Sequence, residues 1–236
     1  MIRLGADRAP LTAPRLVVPA YFRPDTRPDD WQLLAKHAQQ VRLVILNLAN
    51  GPGARPDPAY HFALSRLREV GVAVAGYVDT NYGRRPASEA LADLDNFLQW
   101  YAVSGVCFDR VSVSAQDIGY YAALSRDARR AGARVVLFNH GAYPLEAYAE
   151  HANLLGTFEG PWRAYLRLAV PRWTRSRPAS MFYHVIYSVP RENFDHAFLL
   201  ATRRRAGSVY VTDRGGANPY DGLPVGGLQP ESPWLR

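Results

Sequence analysis

Short apolar runs alternate with longer amphipathic stretches along most of the chain. Leu16 to Tyr21, Val41 to Leu46, Val72 to Val78 and Gly105 to Asp109 are each too short and too evenly apolar for a helix. They have the form of strands covered on both faces. Arg134 to Phe138, Leu154 to Phe158, Ser180 to Ile186 and Ser208 to Val211 continue the series. Between them the spacing predicts helices over Trp31–Gln40 with Asp29 as N-cap, Pro58–Val70, Pro86–Tyr101 and Tyr120–Ala131. Further helical segments are predicted near Pro144–His151, over Trp162–Leu168 and over Glu192–Ala206, with 171–178 a basic, proline-bounded loop. Gly71, Gly132 and Gly207 punctuate helix ends.

Eight strand candidates alternating with seven helix candidates predict a single-domain α/β protein, a (β/α)8 TIM barrel. Each repeating unit takes about 20 to 32 residues, near the ~250-residue norm of that fold. A doubly wound open sheet is the competing arrangement. Residues 1–14 read as an N-terminal arm, and 15–236 as the barrel, with a glycine- and proline-rich tail from Arg214 that wraps the surface.

Composition narrows the functional classes. The 236 residues carry a formal charge of +7, almost wholly as arginine, since Lys36 is the single lysine. The arginine clusters at 172–177 and 203–205 read as solvated faces, with polyanion binding a minority reading, and no nucleic-acid motif accompanies them. Cys107, the one cysteine, excludes an internal disulfide and reads as a small buried hydrophobe. The N-terminal stretch has no apolar h-region and no window reaches spanning length. The expectation is a soluble protein, cytoplasmic as given, or secreted if a signal has been removed.

The strand ends carry the candidate chemistry. They are Tyr21, Asn47, Asp79, Asp109, Asn139, Glu159, Tyr187 and Asp213, each polar or aromatic after an apolar run. In a (β/α)8 barrel these positions form the active face. Asp79 and Asp213 suit loop or cap duties, whereas Asp109 and Glu159 abut apolar strands and could approach each other across the mouth. Glycoside hydrolysis needs such a carboxylate pair. Tyr21, Tyr77, Tyr82, Phe158, Trp162 and Tyr187 suit stacking on sugar faces. No nucleophile elbow, P-loop or dinucleotide fingerprint is present, and the six histidines lack metal-ligand spacing, so no cofactor or metal is expected. His140, beside Asn139, is the histidine best placed to carry a proton.

The chain resembles the spherulin-4-like family, which includes fungal glycoside hydrolases that cut galactosaminogalactan. The resemblance rests on Val18-Pro19-Ala20-Tyr21, Asn47-Leu48-Ala49-Asn50-Gly51-Pro52-Gly53, Gly76-Tyr77-Val78-Asp79-Thr80-Asn81-Tyr82-Gly83 and Gly105-Val106-Cys107-Phe108-Asp109. It continues through Asn139-His140-Gly141, Phe158-Glu159, Ser188-Val189-Pro190, Val211-Thr212-Asp213 and Asn218-Pro219-Tyr220-Asp221. It implies a (β/α)8 barrel that hydrolyses an amino-sugar polysaccharide through acidic strand-end residues. Asp109 and Glu159 are then the catalytic carboxylates, with Tyr21, Asn47, Tyr82, Arg110, Asn139, His140, Tyr187 and Asp213 as substrate-binding candidates. The chain departs from the family where Arg110 replaces a glutamate and Tyr187 a histidine. If Arg110 meets Asp109 it should hold that carboxylate ionised, which leaves Glu159 as the acid. If it fills the gap between the carboxylates, a carbohydrate-binding pseudoenzyme is the alternative.

Overall fold

The computed structural model describes residues 14–224, so the proposed N-terminal arm lies outside the described residues except at Pro14. Eight parallel strands close into a barrel in sequence order. They are β1 (Arg15–Ala20), β2 (Val41–Leu46), β3 (Ala73–Asp79), β4 (Gly105–Asp109), β5 (Val135–Asn139), β6 (Leu154–Pro161), β7 (Phe182–Tyr187) and β8 (Ser208–Val211). Closure is made by the short pairing of Arg15 with Ser208 and Leu16 with Val209. The strands are apolar runs because both faces are covered: Val106, Phe108, Val136, Leu137 and Phe138 are all fully buried.

The outer layer comprises α1 (Pro28–Lys36), α2 (Ala59–Glu69), α3 (Ala87–Tyr101), α4 (Ile118–Arg130), α5 (Trp162–Tyr165) and α6 (Phe194–Arg203). Helix α1 starts earlier than the pattern predicts, because Pro28 takes a first-turn position and draws Asp29 and Asp30 into that turn. The predicted helix after β5 is a 3₁₀ helix, Glu146–Glu150, and α5 ends after four residues. The basic loop holds a 3₁₀ turn, Arg172–Ser176. A barrel needs length at these places to return the chain to the sheet's other end, and short 3₁₀ pieces supply it as well as full helices.

Two close approaches shape the barrel wall. A Cβ on Gly105 would come within 2.2 Å of the Val135 carbonyl oxygen, so β4 and β5 start in near contact. A Cβ on Gly156 would come within 2.2 Å of Asn139 Oδ1 and 2.7 Å of the Tyr183 hydroxyl. Gly156 is therefore what lets a tyrosine ring and the Asn139 amide lie side by side inside β5, β6 and β7.

Candidate active site

Strand alternation alone would turn Glu159 away from the barrel interior. Gly156 faces inward, against Asn139 and Tyr183, so a strict period of two would put Phe158 inside and Glu159 among the helices. The register of β6 against β7 slips between Gly156 and Phe158. This bulge places Thr157 and Phe158 both on the outer side, where Thr157 bonds His184 and Phe158 packs on Tyr165 and His184. Glu159 is thereby returned to the mouth.

There Asn139 joins the two carboxylates. Its Nδ2 donates to Asp109 Oδ1 at 2.7 Å and to Glu159 Oε2 at 2.6 Å. The amide orientation is fixed chemically, because both acceptors are carboxylate oxygens while Asn139 Oδ1 accepts from the Gly141 N–H. Two oxygens bonded to one nitrogen in this way lie within the short carboxylate spacing of retaining glycosidases, about 5–5.5 Å, rather than the wider inverting one. The remaining oxygens are also held: the Tyr77 hydroxyl donates to Asp109 Oδ2 at 2.8 Å, and the Tyr220 hydroxyl to Glu159 Oε1 at 2.6 Å. Tyr21 sits edge-on to both Tyr77 and Tyr220.

Burial, and then the Glu159 charge, push the Asp109 carboxyl up to about 6, against the lowering effect of the Tyr77, Asn139 and Arg110 backbone donors. Burial also raises the Tyr77 and Tyr220 hydroxyls, with the carboxylates adding to it. These tyrosines therefore stay protonated donors at any working pH. Such a set can hold one proton near neutrality and deliver it to a bound oxygen.

Arg110 is placed differently from the sequence expectation. Its φ of 50° turns the chain left-handed directly after Asp109. The Thr80 hydroxyl and the Tyr82 N–H pin the Arg110 carbonyl. The guanidinium pairs with Asp79 at 3.2 Å, bonds Asn81 and lies 5.3 Å from the Tyr82 ring centre. It neither bonds Asp109 nor fills the space beside Glu159, so its supposed grip on Asp109, the ground for making Glu159 the acid, is absent. Five of the seven described non-glycine residues with positive φ follow strand ends at this mouth: Asn50, Asn81, Tyr82, Arg110 and Ser188. Backbone strain is concentrated where the loops surround the carboxylates.

The other candidates divide. Tyr187 closes β7, partly buried, and Tyr82 stands half-exposed at the rim. Asn47 instead braces its own loop, accepting the Gly51 N–H at 3.0 Å, and Asp213 pairs with Arg191 at 2.9 Å. His140 points outward, stacked edge-on to Tyr148, with Nδ1 bonded to the Ser112 carbonyl. Burial pushes it down to about 4, so it is neutral and on the wrong side of the sheet to carry a proton to the mouth. Among the described residues no three His, Cys, Asp or Glu side chains cluster in a way that would hold a metal ion. A groove of about 850 Å³ between α1 and α2 is lined by Trp31, Leu33 and Phe62 and is remote from both carboxylates. The converging ionisable groups, not that groove, mark the site.

Tyr220 is the residue the strand-end rule could not find. The described part of the tail folds back over the mouth rather than over the outer surface. The Tyr21 N–H bonds the Tyr220 carbonyl, Arg214 pairs with Asp221, and the Leu223 N–H bonds Asp30. Asn218 closes an Asx turn on the Tyr220 N–H. A hydrogen bond to a charged group contributes about 1.5–3 kcal/mol. Tyr220→Phe keeps the ring packing and should lower kcat about ten- to a hundredfold with KM little changed. Steady-state kinetics beside an unchanged circular dichroism spectrum checks this, and wild-type kcat would show the bond to be idle.

Comparison with known proteins agrees with this architecture. The model of spherulation-specific family 4 matches residues 15–226. Spherulin-4 of Physarum polycephalum is 28% identical over 169 residues, covering 70% of this chain and 50% of that protein. The chain thus spans about half the length of the curated relative it matches. Among solved structures, Aspergillus clavatus Sph3 in complex with GalNAc has a TM-score of 0.77 at 23% identity, covering 90% of this chain and 94% of its own. The C-terminal domain of a putative chitinase from Desulfitobacterium hafniense DCB-2 has a TM-score of 0.54 at 13% identity, covering 75% and 67%. Deoxyribose phosphate aldolase from Aeropyrum pernix has 0.52 at 15%, covering 84% of each. An aldolase and a chitinase-like domain sharing one barrel illustrate that such distant likeness carries the fold alone. The family model covers nearly the whole chain, and the chain belongs to spherulation-specific family 4.

Proposed function

We propose that this protein is a glycoside hydrolase acting on a polysaccharide that contains amino sugars. The observation that carries the reading is the Asn139 amide held between the carboxylates of Asp109 and Glu159 at the barrel mouth. Asp109, whose surroundings retain a proton up to about pH 6, protonates the glycosidic oxygen as the bond breaks. Glu159 meets the developing positive charge at the anomeric carbon and forms the glycosyl–enzyme bond. Water, deprotonated by Asp109 in the second step, then releases the sugar with retained configuration. Tyr21, Tyr187 and the rim pair Tyr82–Arg110 offer ring faces and donors to the sugar. The GalNAc bound by the structurally similar Sph3 supports an amino sugar as the unit recognised.

The test is incubation with a panel of amino-sugar polymers, both N-acetylated and free-amine, with products read by mass spectrometry. Oligosaccharides should appear from at least one polymer, and proton NMR during the reaction should show the retained anomer first. Tight binding without cleavage of any polymer would transfer the assignment to a carbohydrate-binding protein. An initially inverted anomer would remove Glu159 as nucleophile.

A further inference from the structure

The two arginine clusters that are separate in sequence form one surface. Between Gly160 and Arg191 the chain has five arginines and no Asp or Glu, and between His196 and Thr212 it has three more and again no acid. The end of α6 is stitched onto the β6–β7 connection. Arg204 donates to the Leu166 carbonyl and stacks 4.6 Å from the Tyr165 ring centre, while Arg205 donates to the carbonyls of Thr174 and Arg177. These bonds tie Arg204 and Arg205 down against the protein, and Arg177 is paired with Glu146 and Glu150. Arg163, Arg167, Arg172, Arg175 and Arg203 are left exposed, and none makes an ion pair among the described residues.

We infer that this flank is a docking surface for an acidic polysaccharide, lying outside the hydrolytic pair. Five exposed guanidinium groups without an ion pair among the described residues, carried on segments that the Arg204 and Arg205 bonds join, raise the local positive potential, which a polyanion relieves. Arginine rather than lysine suits acceptors that offer two oxygens to its planar fork, such as the carboxylates of uronic acids or sulfate esters. The flank begins at the mouth, because α5 starts at Trp162, three residues after Glu159. A chain lying on it is therefore led towards the carboxylates.

Other polyanions fit less well. Leu166 is the one exposed large apolar side chain of this segment, so the flank has no apolar face to enter a bilayer and no exposed aromatic on which bases could stack. Its helix of four residues is too short to enter a nucleic-acid groove.

The choice of polysaccharide rests on the carbohydrate reading of the mouth, so binding is measured on the Glu159→Gln protein, where cleavage plays no part. Fluorescently labelled polygalacturonate is titrated with this protein at low salt and followed by anisotropy. Arg167→Ser/Arg172→Ser/Arg175→Ser should weaken binding at least tenfold. The same loss of charge on α4, as Arg126→Ser/Arg129→Ser/Arg130→Ser, should change it less than twofold. Matching melting curves establish that both variants fold. Equal losses in the two variants would reduce the effect to net charge and overturn the proposal. So would equal or tighter binding of a duplex DNA or of phosphatidylglycerol vesicles, and so would affinity for an uncharged glucan matching that for polygalacturonate.

Discussion

Asp109→Asn should abolish turnover, at least a thousandfold in kcat, and at the same time make the folded protein more stable at neutral pH. The first effect follows from losing the proton that the leaving oxygen needs. The second follows from linkage. The Asp109 carboxyl sits at about 6 in the folded protein, above the 3.8 of an unburied aspartate. The folded state therefore binds the proton more tightly than the unfolded chain. Stability is fullest below the unfolded value and is lost as pH rises through about 6. At pH 7.5 the buried charge costs about 2–3 kcal/mol at most, and asparagine removes that cost while still offering Asn139 an acceptor. Thermal melts should show a gain of several degrees at pH 7.5 that fades towards pH 4. A gain over wild type no larger at pH 7.5 than at pH 4 would mean that Asp109 is not strained by burial. Roles can be separated with an activated aryl glycoside and azide. Azide should rescue Glu159→Ala as a glycosyl azide of inverted configuration, and Asp109→Ala as the retained one; the opposite pattern would exchange the two assignments.

Asn139→Ala should cost about a hundred- to a thousandfold in kcat, the range seen when one donor to developing charge is removed. Asn139 is the donor shared by both carboxylates, and nothing else among the described residues bridges them. Its amide also lowers the Asp109 titration, so its loss should move the alkaline limb of the rate profile to higher pH. A uniform loss of rate with an unmoved limb would mean that Asn139 positions sugar rather than tuning the pair.

Arg110 bears on the same site through its position. Sequence adjacency makes it look like a partner of Asp109. One left-handed residue sends it instead to Asp79, Asn81 and Tyr82 on the neighbouring loop. The gap between the carboxylates is thus not filled by a guanidinium, and Arg110 shapes the rim of the mouth rather than its centre.

The barrel was legible from the sequence because each strand is buried on two faces and each principal helix on one. Those demands leave continuous apolar runs separated by amphipathic stretches, whatever the loops do. The strand-end rule brought Asp109, Glu159 and Asn139 into view for the same reason: a polar residue closing a buried run has few places to face except the mouth. Local pattern could not decide orientation. His140 stands next to Asn139 yet faces the outer layer, and Glu159 reaches the mouth only because β6 bulges at Thr157 and Phe158. Nor could it decide partners distant in the chain. Tyr220 meets Glu159 across 61 positions, and the arginines after α5 join those ending α6 through backbone carbonyls. Alternating polarity records how much of a side chain is buried, whereas register, backbone handedness and the return of the tail determine which groups face each other, and these are fixed when the barrel closes.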